Sequence, residues 1–398
     1  MNILWLCPFV PYPLDNGGNI RVFSMLSHLA KIHAVTLVCL DDPLQGGRDV
    51  RPLRDLCAQV HVLDAPPFFP LKLHHAPYFF SRTPGSLAVG NPRLKRQLAA
   101  IAAGQDFDLL HVEFSTLAEL ALGLNIKKRT LTEHFLAIES YGHNVKEMSG
   151  FKRWYFQREL TKLERWEPAI ARQYDHIFVT SEPHLRRVSE WMGGGHVTLV
   201  PNGVDVDYFQ PQVVETNAHS YFFMGAFHLD ASSQRALAVL VDKVFPTIQQ
   251  DLPDAVLHVV GKGVPQELKD RAHANIRFYG YVDDVRPLLA FSAALLLPVV
   301  GGSGTKLRIL TAMAMGKPVI TSVDGLAGLD CADGEELFIA RDWQDMATKA
   351  VHLSCNTKLC SDIGRAARRA MEERFSWVQL AHIQEGVWQT LAGEEHRG

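Results

Sequence analysis

The sequence predicts an α/β protein built from two doubly wound halves, and two observations lead to this prediction. Short apolar runs alternate with amphipathic helical stretches and glycine-rich loops along most of the chain. The alternation stops once, near residues 201–215, and then starts again. A length of 398 residues suits two or three domains, and 47% hydrophobic against 21% charged residues is a globular balance.

The first half opens with a strand, a glycine loop, a helix and a second strand. Asn2–Cys7 is a continuous apolar run, as expected for a parallel strand buried on both faces. A loop with three prolines then precedes a helical pattern over residues 20–31 and an apolar run over 34–40. Further strands are predicted at 60–63, 108–114, 129–132, 175–180 and 197–200, and helices at 92–103, 151–172 and from about 182 to the glycines at 193–195.

The second half repeats this pattern. Strands are predicted at 221–224, 255–260, 276–279, 294–298 and 318–321, and helices at 234–248, 285–291, 306–315 and, as a pair, within 343–374. We expect one domain over residues 1–204, a second over 205–375, and a C-terminal helix over 376–398 that packs back toward the first domain. Ligands of such folds bind at the carboxyl ends of the strands, so two halves that face each other form a cleft there.

Composition disfavours several classes of protein. Lys+Arg 40 against Asp+Glu 43 gives a net charge of -3, which argues against a nucleic-acid binder that works by global charge. The six cysteines form no C-x-x-C pair and are expected to be small buried thiols. The N-terminus lacks the features of a signal peptide, and no apolar run is long enough to span a bilayer. We therefore expect a cytoplasmic protein.

Two glycine-rich loops precede helices and suit an anionic ligand. Gly17 and Gly18 follow the first strand, where glycine lets backbone N–H groups approach a phosphate at a helix N-terminus. Residues 301–304 form a second such loop, followed by Lys306 and Arg308. Cations at a helix start oppose the helix dipole, so an anionic ligand would account for them. Ordinary turns and solvated cations are the structural alternatives.

Polar side chains follow two strands of the first half. Glu113 ends the strand at 108–114 and is our first candidate for a polar residue in the cleft, while His111 is expected to be structural. Glu133 and His134 end the next strand and point to the same edge. A lone histidine is more often structural than functional, but the adjacent carboxylate strengthens the functional interpretation.

Four segments together carry a family resemblance. They read PYPLDNGGNIRV at 11–22, PNGVD at 201–205, GYVDDVR at 280–286 and GSGTKLRILTAMAMGKPV at 302–319. In this order the chain resembles the retaining glycosyltransferases of the GT-B fold, family GT4, nearest to bacterial exopolysaccharide sugar transferases. The resemblance implies two Rossmann-like domains facing across a cleft. The first is the acceptor side, and the second binds a nucleotide-diphosphate sugar as donor substrate.

The resemblance also implies roles for individual residues. The sugar is transferred with retention at the anomeric carbon, the leaving diphosphate helps to deprotonate the acceptor, and neither a metal nor another cofactor is required. The implied catalytic residues are Glu113, His134, Lys306 and Arg308. The implied donor-binding residues are Gly17, Gly18, Gly225, Gly261, Tyr281, Val282, Gly302, Ser303, Gly304, Thr305 and Thr311. Asn16, Arg21 and Glu133 are expected on the acceptor side.

The sequence departs from the family pattern at two places. Most members carry two glutamates eight positions apart, and the matching positions here are Ser303 and Thr311. The second glutamate typically holds the ribose hydroxyls, whereas threonine is shorter and neutral. Many members also carry Arg and Lys after the first strand of the second domain, where this chain reads MGAFHLD at 224–230. Diphosphate charge would then be met by Lys306 and Arg308.

Aromatic and basic residues are interleaved at residues 66–82 and 151–158. Such stretches suit an anionic bilayer surface or a lipid-linked sugar acceptor, although core aromatics beside solvated cations are an equally good interpretation. The expected partners are therefore a nucleotide sugar and a sugar or lipid-linked acceptor, with peripheral contact to the inner face of the cytoplasmic membrane as an option and no nucleic acid.

Three alternatives remain open or are set aside. Asp205 and Asp207 imitate the D-x-D metal motif of another glycosyltransferase fold, but they lie in the linker motif and we reject a metal site there. A nucleotide-sugar epimerase on the same fold would need carboxylates and a histidine poised for elimination and addition, and the family motifs point to a transferase instead. A catalytically degenerate scaffold that binds a partner or glycan is the main alternative, because Thr311 replaces the ribose-binding glutamate.

Overall fold

The computed structural model describes residues 1–41, 48–64, 92–146, 148–228, 230–300 and 305–393. The chain divides into two compact units. Unit 1 comprises Met1–Val200 and Leu380–Gly398, and unit 2 comprises Pro201–Gln379. For comparison, the sequence places the domain boundaries after residues 204 and 375.

Unit 1 is built on a parallel seven-stranded sheet in the order β3-β2-β1-β4-β5-β6-β7. Its strands are β1 Asn2–Cys7, β2 Ala34–Asp41, β3 Gln59–Asp64, β4 Leu109–Glu113, β5 Arg129–Glu133, β6 His176–Val179 and β7 Val197–Leu199. Ile3 pairs with Val35 on one side and Leu109 on the other, so β1 lies where the strand order reverses. The apolar run in β1 is buried on both faces, which is why it does not alternate with polar residues.

The helices of unit 1 cover this sheet. They are α1 Gly17–Leu29, α2 Arg51–Leu56, α3 Pro92–Ala103, α4 Ala118–Ala121, α5 Ala137–Lys146, α6 Gly150–Ala171 and α7 Glu182–Met192. The α7 helix ends at Gly193 in the left-handed conformation, as the glycine triplet predicts. The sequence did not predict α5, whose first two N–H groups are capped by a side chain that lies 30 positions further along the chain.

Unit 2 repeats the arrangement with six parallel strands in the order β10-β9-β8-β11-β12-β13. Its strands are β8 Asn217–Met224, β9 Val256–Val260, β10 Ile276–Gly280, β11 Ser292–Leu297, β12 Val319–Ser322 and β13 Phe338–Ala340. Its helices are α8 Ala231–Val239, α9 Phe245–Asp251, α10 Gln266–Asp270, α11 Arg286–Phe291, α12 Leu307–Ala314, α13 Trp343–Ser354 and α14 Thr357–Ala370. The first strand of the unit, β8, has β9 and β10 on one side and β11, β12 and β13 on the other, so the strand order reverses at β8.

The prediction of two doubly wound halves is confirmed, with local differences. The helix predicted over 234–248 is divided into α8 and α9 by a π-helical turn at Leu240–Val244. Pro246, in the first turn of α9, has no N–H to continue the regular ladder. The sequence did not predict β13, which has only three residues and lies at the sheet edge.

The last helix, α15 Trp377–Gly393, returns to the first unit. From Leu380 onward its residues belong to unit 1, and Trp388 is completely buried there. The Trp388 ring meets the Trp5 ring edge to face with centroids 5.7 Å apart. Within the ranges that the structure describes, no helix is both long enough and apolar enough to cross a membrane.

Candidate functional site

The carboxyl edge of the unit 1 sheet collects polar side chains from neighbouring strands. Glu113 is the last residue of β4, and His134 directly follows β5. Because β4 and β5 pair in parallel, with Glu113 opposite Thr132, both chain ends emerge on the same edge. His134 Nε2 lies 2.6 Å from Glu113 Oε2, and His111 Nε2 lies 3.4 Å from Glu113 Oε1. The sequence therefore placed Glu113 and His134 together correctly on this edge.

Glu113 is a buried, ionised carboxylate. Only 2% of the residue is exposed, and each oxygen is engaged by an imidazole. Burial opposes ionisation, but the hydrogen bonds from His111 and His134 outweigh it and hold the pKa of Glu113 well below its usual range. Burial lowers the pKa of His134, while Glu113 partly restores it. Neutral His134 beside ionised Glu113 is thus the arrangement that these shifts favour at neutral pH.

Aromatic rings frame the His134 imidazole. The Phe114 ring stacks on it with centroids 3.8 Å apart and planes inclined by 12°. Phe114 has a φ of 66°, a strained backbone conformation for a bulky residue, and this conformation holds the ring against His134. Phe135 meets Phe114 edge to face and is 48% exposed. An exposed phenyl ring beside a polar dyad suits the apolar face of a sugar ring.

The loop before α1 reaches the same edge, but its side chains serve the fold. The Asn16 side chain caps α1 by accepting from the Asn19 N–H at 3.0 Å. The Arg21 guanidinium is buried and donates to the Val200 carbonyl at 2.8 Å. Burial lowers the pKa of Arg21 to about 10, which leaves it cationic near Glu113. Gly17 begins α1, and a side chain on Gly18 would approach the Phe9 ring at 3.3 Å.

Glu133 lies deeper than the sequence suggested. It is 5% exposed, and its Oε2 accepts from the Ser115 N–H at 3.3 Å. Burial, with a contribution from the charge of Glu167, raises the pKa of Glu133 well above its usual range and favours the protonated form. The residue therefore braces the turn after β4 within unit 1.

The carboxyl edge of unit 2 gathers cations around the end of β8. Arg308, in the first turn of α12, donates from Nη1 to the Met224 carbonyl at 2.8 Å and lies 3.7 Å from Asp230 Oδ2. Burial lowers the pKa values of both Arg308 and Lys306. In Lys306 the neighbouring charge of Arg308 lowers the pKa further. Asp230 and Asp324 raise the pKa of Lys306, but burial outweighs them, so an anion bound at this edge would stabilise the cation.

Glycines bring the backbone of this edge close together. Gly261 has a φ of 141°, and a Cβ there would lie 1.8 Å from the Gly225 carbonyl oxygen. A Cβ on Gly225 would lie 2.9 Å from Cβ of Ser233. Only glycine fits these positions, so the loops after β8 and β9 can pack against each other. Beside them the Lys262 ammonium lies 4.5 Å from the centre of the exposed Tyr281 ring.

The remaining residues predicted at the donor side differ in their burial, and three of them are not described. Thr305 is 7% exposed, and its hydroxyl has no hydrogen-bond partner among the described atoms. Thr311 is buried on α12, one turn beyond Arg308. Val282 packs partly buried against the core of unit 2. Gly302, Ser303 and Gly304 lie outside the described residues.

Asp205 and Asp207 lie in a turn of the linker. Asp205 Oδ1 accepts from the backbone N–H groups of Asp207 and Tyr208, at 3.1 and 2.9 Å, so this carboxylate closes a turn. Throughout the described ranges, no group of three or more His, Cys, Asp and Glu side chains is placed to hold a metal ion.

Two family profiles cover both units. The profile described as Glycosyltransferase Family 4 matches residues 15–208. The profile described as Glycosyl transferases group 1 matches residues 218–356. The chain belongs to glycosyltransferase family 4.

Curated relatives of this glycosyltransferase include a phosphatidyl-myo-inositol mannosyltransferase from Mycobacterium tuberculosis. It is 25% identical over 317 residues, which cover 76% of this chain and 79% of the relative. A Klebsiella pneumoniae protein described as an uncharacterized 44.6 kDa protein in the cps region is 20% identical over 390 residues. That match covers 92% of this chain and 94% of the relative.

Solved structures confirm the GT-B fold of this glycosyltransferase. Sucrose-phosphate synthase from Thermosynechococcus elongatus superimposes with a TM-score of 0.73 at 19% identity, and the match covers 99% of each chain. HepE from Anabaena, solved in complex with UDP and glucose, superimposes with a TM-score of 0.68 at 15% identity. That match covers 98% of this chain and 100% of HepE.

Three residues of the unit 1 edge of this glycosyltransferase were not found by sequence reasoning. Phe114 stacks on His134, and Phe135 directly follows it in the sequence. An aromatic residue after a strand gives no signal of which way its ring points. Trp388 lies more than 270 positions from His111, yet their rings have centroids 5.2 Å apart. Only the return of α15 to unit 1 reveals that proximity.

Proposed function

We propose that this glycosyltransferase moves a sugar from a nucleotide-diphosphate sugar to an acceptor hydroxyl, with retention of configuration, in glycolipid or polysaccharide assembly. The observation that carries the proposal is the carboxyl edge of unit 2. There, Lys306 and Arg308 are half-buried beside loops that only glycine permits. Desolvated cations beside a glycine backbone suit a diphosphate, whose negative charge grows as it leaves.

The electrostatics of this edge support an anionic ligand. Asp230 raises the pKa of Arg308 and is itself committed to capping α8 through Ser232 and Ser233. Burial lowers the pKa values of Lys306 and Arg308 more than the nearby carboxylates raise them, so a bound anion would stabilise both cations. The start of α12 adds further positive potential from its N-terminal N–H groups.

The proposed reaction is a single displacement on one face of the donor sugar. The bond between the anomeric carbon and the diphosphate oxygen breaks, and its electron pair leaves with the nucleoside diphosphate. The acceptor oxygen forms the new glycosidic bond from the same face. Its proton passes to the leaving diphosphate, so the configuration at the anomeric carbon is retained. We propose that no metal or other cofactor takes part.

Unit 1 supplies the acceptor side in this proposal. Neutral His134, held by Glu113, is placed to accept a hydrogen bond from a sugar hydroxyl. The exposed Phe135 ring offers a platform for the apolar face of that sugar. Glu113 itself is buried, so we assign it the role of orienting His134 rather than of touching substrate. Asn16, Arg21 and Glu133 then maintain the edge without contacting the acceptor.

The class of acceptor is supported by relatives and by one helix. One relative is named as a phosphatidyl-myo-inositol mannosyltransferase, whose printed name places its sugar on a lipid. Another is encoded in a cps region. Trp154, in the first turns of α6, is 52% exposed beside the exposed Lys152 and Arg153. Such a surface suits a lipid-linked acceptor or peripheral contact with an anionic bilayer. The stretch at 66–82 lies outside the described residues.

A second candidate function is a non-catalytic scaffold that binds a glycan or a partner. Thr311 favours it, because a buried neutral threonine replaces the glutamate that usually holds the ribose. The intact Glu113–His134 dyad and the cationic edge of unit 2 favour the enzyme. A scaffold has no need for either group, so the transferase is the better account.

Product stereochemistry tests the proposal. The protein is incubated with a simple glycoside acceptor and α-linked UDP-, GDP-, ADP- and dTDP-sugars, with and without EDTA, and the product is followed by NMR of its anomeric proton. We expect one donor to yield an α-linked product at the same rate in both conditions. A β-linked product would overturn retention, loss of activity with EDTA would overturn metal independence, and isomerised donor without transfer would indicate an epimerase.

A further inference from the structure

The C-terminal helix reaches the Glu113–His134 dyad through a buried chain of hydrogen bonds. Trp388 Nε1 lies 3.2 Å from Thr130 Oγ1, and the indole N–H can only donate. Thr130 Oγ1 in turn lies 2.9 Å from His111 Nδ1. Both Thr130 and His111 are completely buried, so water does not compete for these groups. The chain continues from His111 Nε2 to Glu113 and from Glu113 to His134.

The tautomer of His111 decides whether this chain supports the dyad. With the proton on Nε2, His111 donates to the Glu113 carboxylate, and its Nδ1 accepts the Thr130 hydroxyl proton. With the proton on Nδ1, a lone pair faces Glu113, and the Thr132 hydroxyl and the Gln384 amide, 3.3 and 3.5 Å from Nε2, become the donors to the ring. A hydrogen bond to a buried carboxylate is stronger than one to a neutral group, which favours the first arrangement.

Trp388 adds to that preference. Its N–H occupies a lone pair of Thr130 Oγ1, so the threonine hydroxyl is polarised to donate toward His111 Nδ1. The chain then runs in one direction, from the indole through two side chains to a carboxylate that has an imidazole on each oxygen. The rings of Trp5 and Trp388 meet the His111 ring edge to face, at 4.5 and 5.2 Å between centroids, and fix its orientation.

We propose that Trp388 is a positioning residue for sugar transfer, which through Thr130 fixes the Nε2–H tautomer of His111 and thereby aligns Glu113 and His134 for the acceptor hydroxyl. The inference rests on the proposed transferase function, because it assigns a task to the dyad. With Nε2–H of His134 directed at Glu113, the other ring nitrogen of His134 is the hydrogen-bond acceptor.

Other titratable groups face the same dyad and are unchanged in the test. Arg21 from α1 acts on both Glu113 and His134. Cys7 from β1 also lies in the field of Glu113, and burial raises the pKa of its thiol well above the usual range. Neither belongs to the hydrogen-bond chain that begins at Trp388, so substitution of Trp388 changes that chain without changing these two groups.

The test compares Trp388→Phe with Trp166→Phe. Both variants lose a buried indole N–H within unit 1, but Trp166 donates to Glu119, away from the dyad. Loss of one neutral hydrogen bond changes a tautomer ratio about tenfold at most. We expect Trp388→Phe to lower kcat by up to about tenfold, to leave KM for the nucleotide sugar unchanged, and to move the acid limb of the kcat–pH profile to higher pH. Trp166→Phe should change neither.

A second pair of variants addresses folding and separates the inference from the proposed function. Thr130→Val interrupts the chain with a residue of the same shape, whereas Thr130→Ser keeps the hydroxyl and should restore wild-type behaviour. Histidine 15N NMR of the labelled full chain reads the His111 tautomer whether or not sugar transfer is found. We expect the Nε2–H form in the wild type and a shift toward Nδ1–H in Trp388→Phe. Thr130→Val offers a buried Nδ1–H no acceptor, so this variant should keep the Nε2–H form. An unchanged tautomer and pH profile in Trp388→Phe would overturn the inference.

Discussion

At the scale of single residues, burial decides which of the predicted site residues can act directly. Glu113 and Arg21 are about as buried as core residues, at 2% and 1% exposure, whereas His134 and Phe135 lie closer to the surface of the same edge. The sequence could place Glu113 and His134 on adjacent strand ends, because parallel strands end at one edge. It could not show which of them is covered, since that depends on aromatic rings whose direction is set by tertiary packing.

The charge of Lys306 leads to a prediction about the rate of sugar transfer. If its charge meets the leaving diphosphate, Lys306→Ala should lower kcat by about 10²–10³-fold, the range for loss of one electrostatic donor. Lys306→Arg should retain part of the activity because it keeps the charge. Steady-state kinetics with the nucleotide sugar identified by NMR provide the measurement.

The matched control for this prediction is Lys317→Ala. Lys317 is also half-buried in unit 2, but it donates to Thr216 Oγ1 at 3.1 Å. Its substitution should leave kcat near the wild-type value. Equal losses in the two variants would mean that Lys306 acts through the stability of unit 2 and not through the diphosphate.

At the scale of elements, periodicity was a reliable guide where the signal lies within the element's own residues. The strand β1 and the helix α3 begin and end where the apolar pattern places them. The helix α5 escaped prediction because its N-terminal cap is remote in sequence. Glu167 of α6 accepts the N–H groups of Ala137 and Ile138 at 2.6 and 3.3 Å.

This remote cap carries a pH dependence. Burial raises the pKa of Glu167 to about 7, even though the two backbone N–H groups lower it. Between about pH 4.5 and 7, Glu167 is therefore protonated in the folded protein but ionised in the unfolded chain. The contribution of Glu167 to the free energy of unfolding is consequently greatest below that value, falls as pH rises toward 7, and is level above it.

Glu167→Gln should remove this dependence. The free energy of unfolding of the variant, relative to the wild type, should increase between about pH 4.5 and 7, by at most about 3 kcal/mol, and then stay constant. Urea unfolding at a series of pH values measures it. Glu164→Gln, at an exposed position on the same helix, should give a flat difference. A Glu167→Gln difference that is also flat would show that Glu167 has an ordinary pKa.

At the scale of the whole molecule, the sequence predicted two doubly wound units and the GT-B fold, and both are confirmed. Repeated strand–helix alternation determines this architecture, and the two family profiles match one unit each. The C-terminal helix shows what the pattern alone leaves open. Its apolar positions predict burial, but only the three-dimensional fold shows that Trp388 meets His111 in unit 1.

We propose that this glycosyltransferase uses a nucleotide-linked donor although Thr311 replaces the usual ribose-binding glutamate. Isothermal titration calorimetry of the purified full chain with UDP, GDP, ADP, CDP and dTDP is the decisive measurement. We predict that at least one nucleoside diphosphate binds, and that Lys306→Ala weakens its binding because the diphosphate charge is met there. Absence of binding by all five nucleotides to the folded protein would contradict the claim and favour the non-catalytic scaffold.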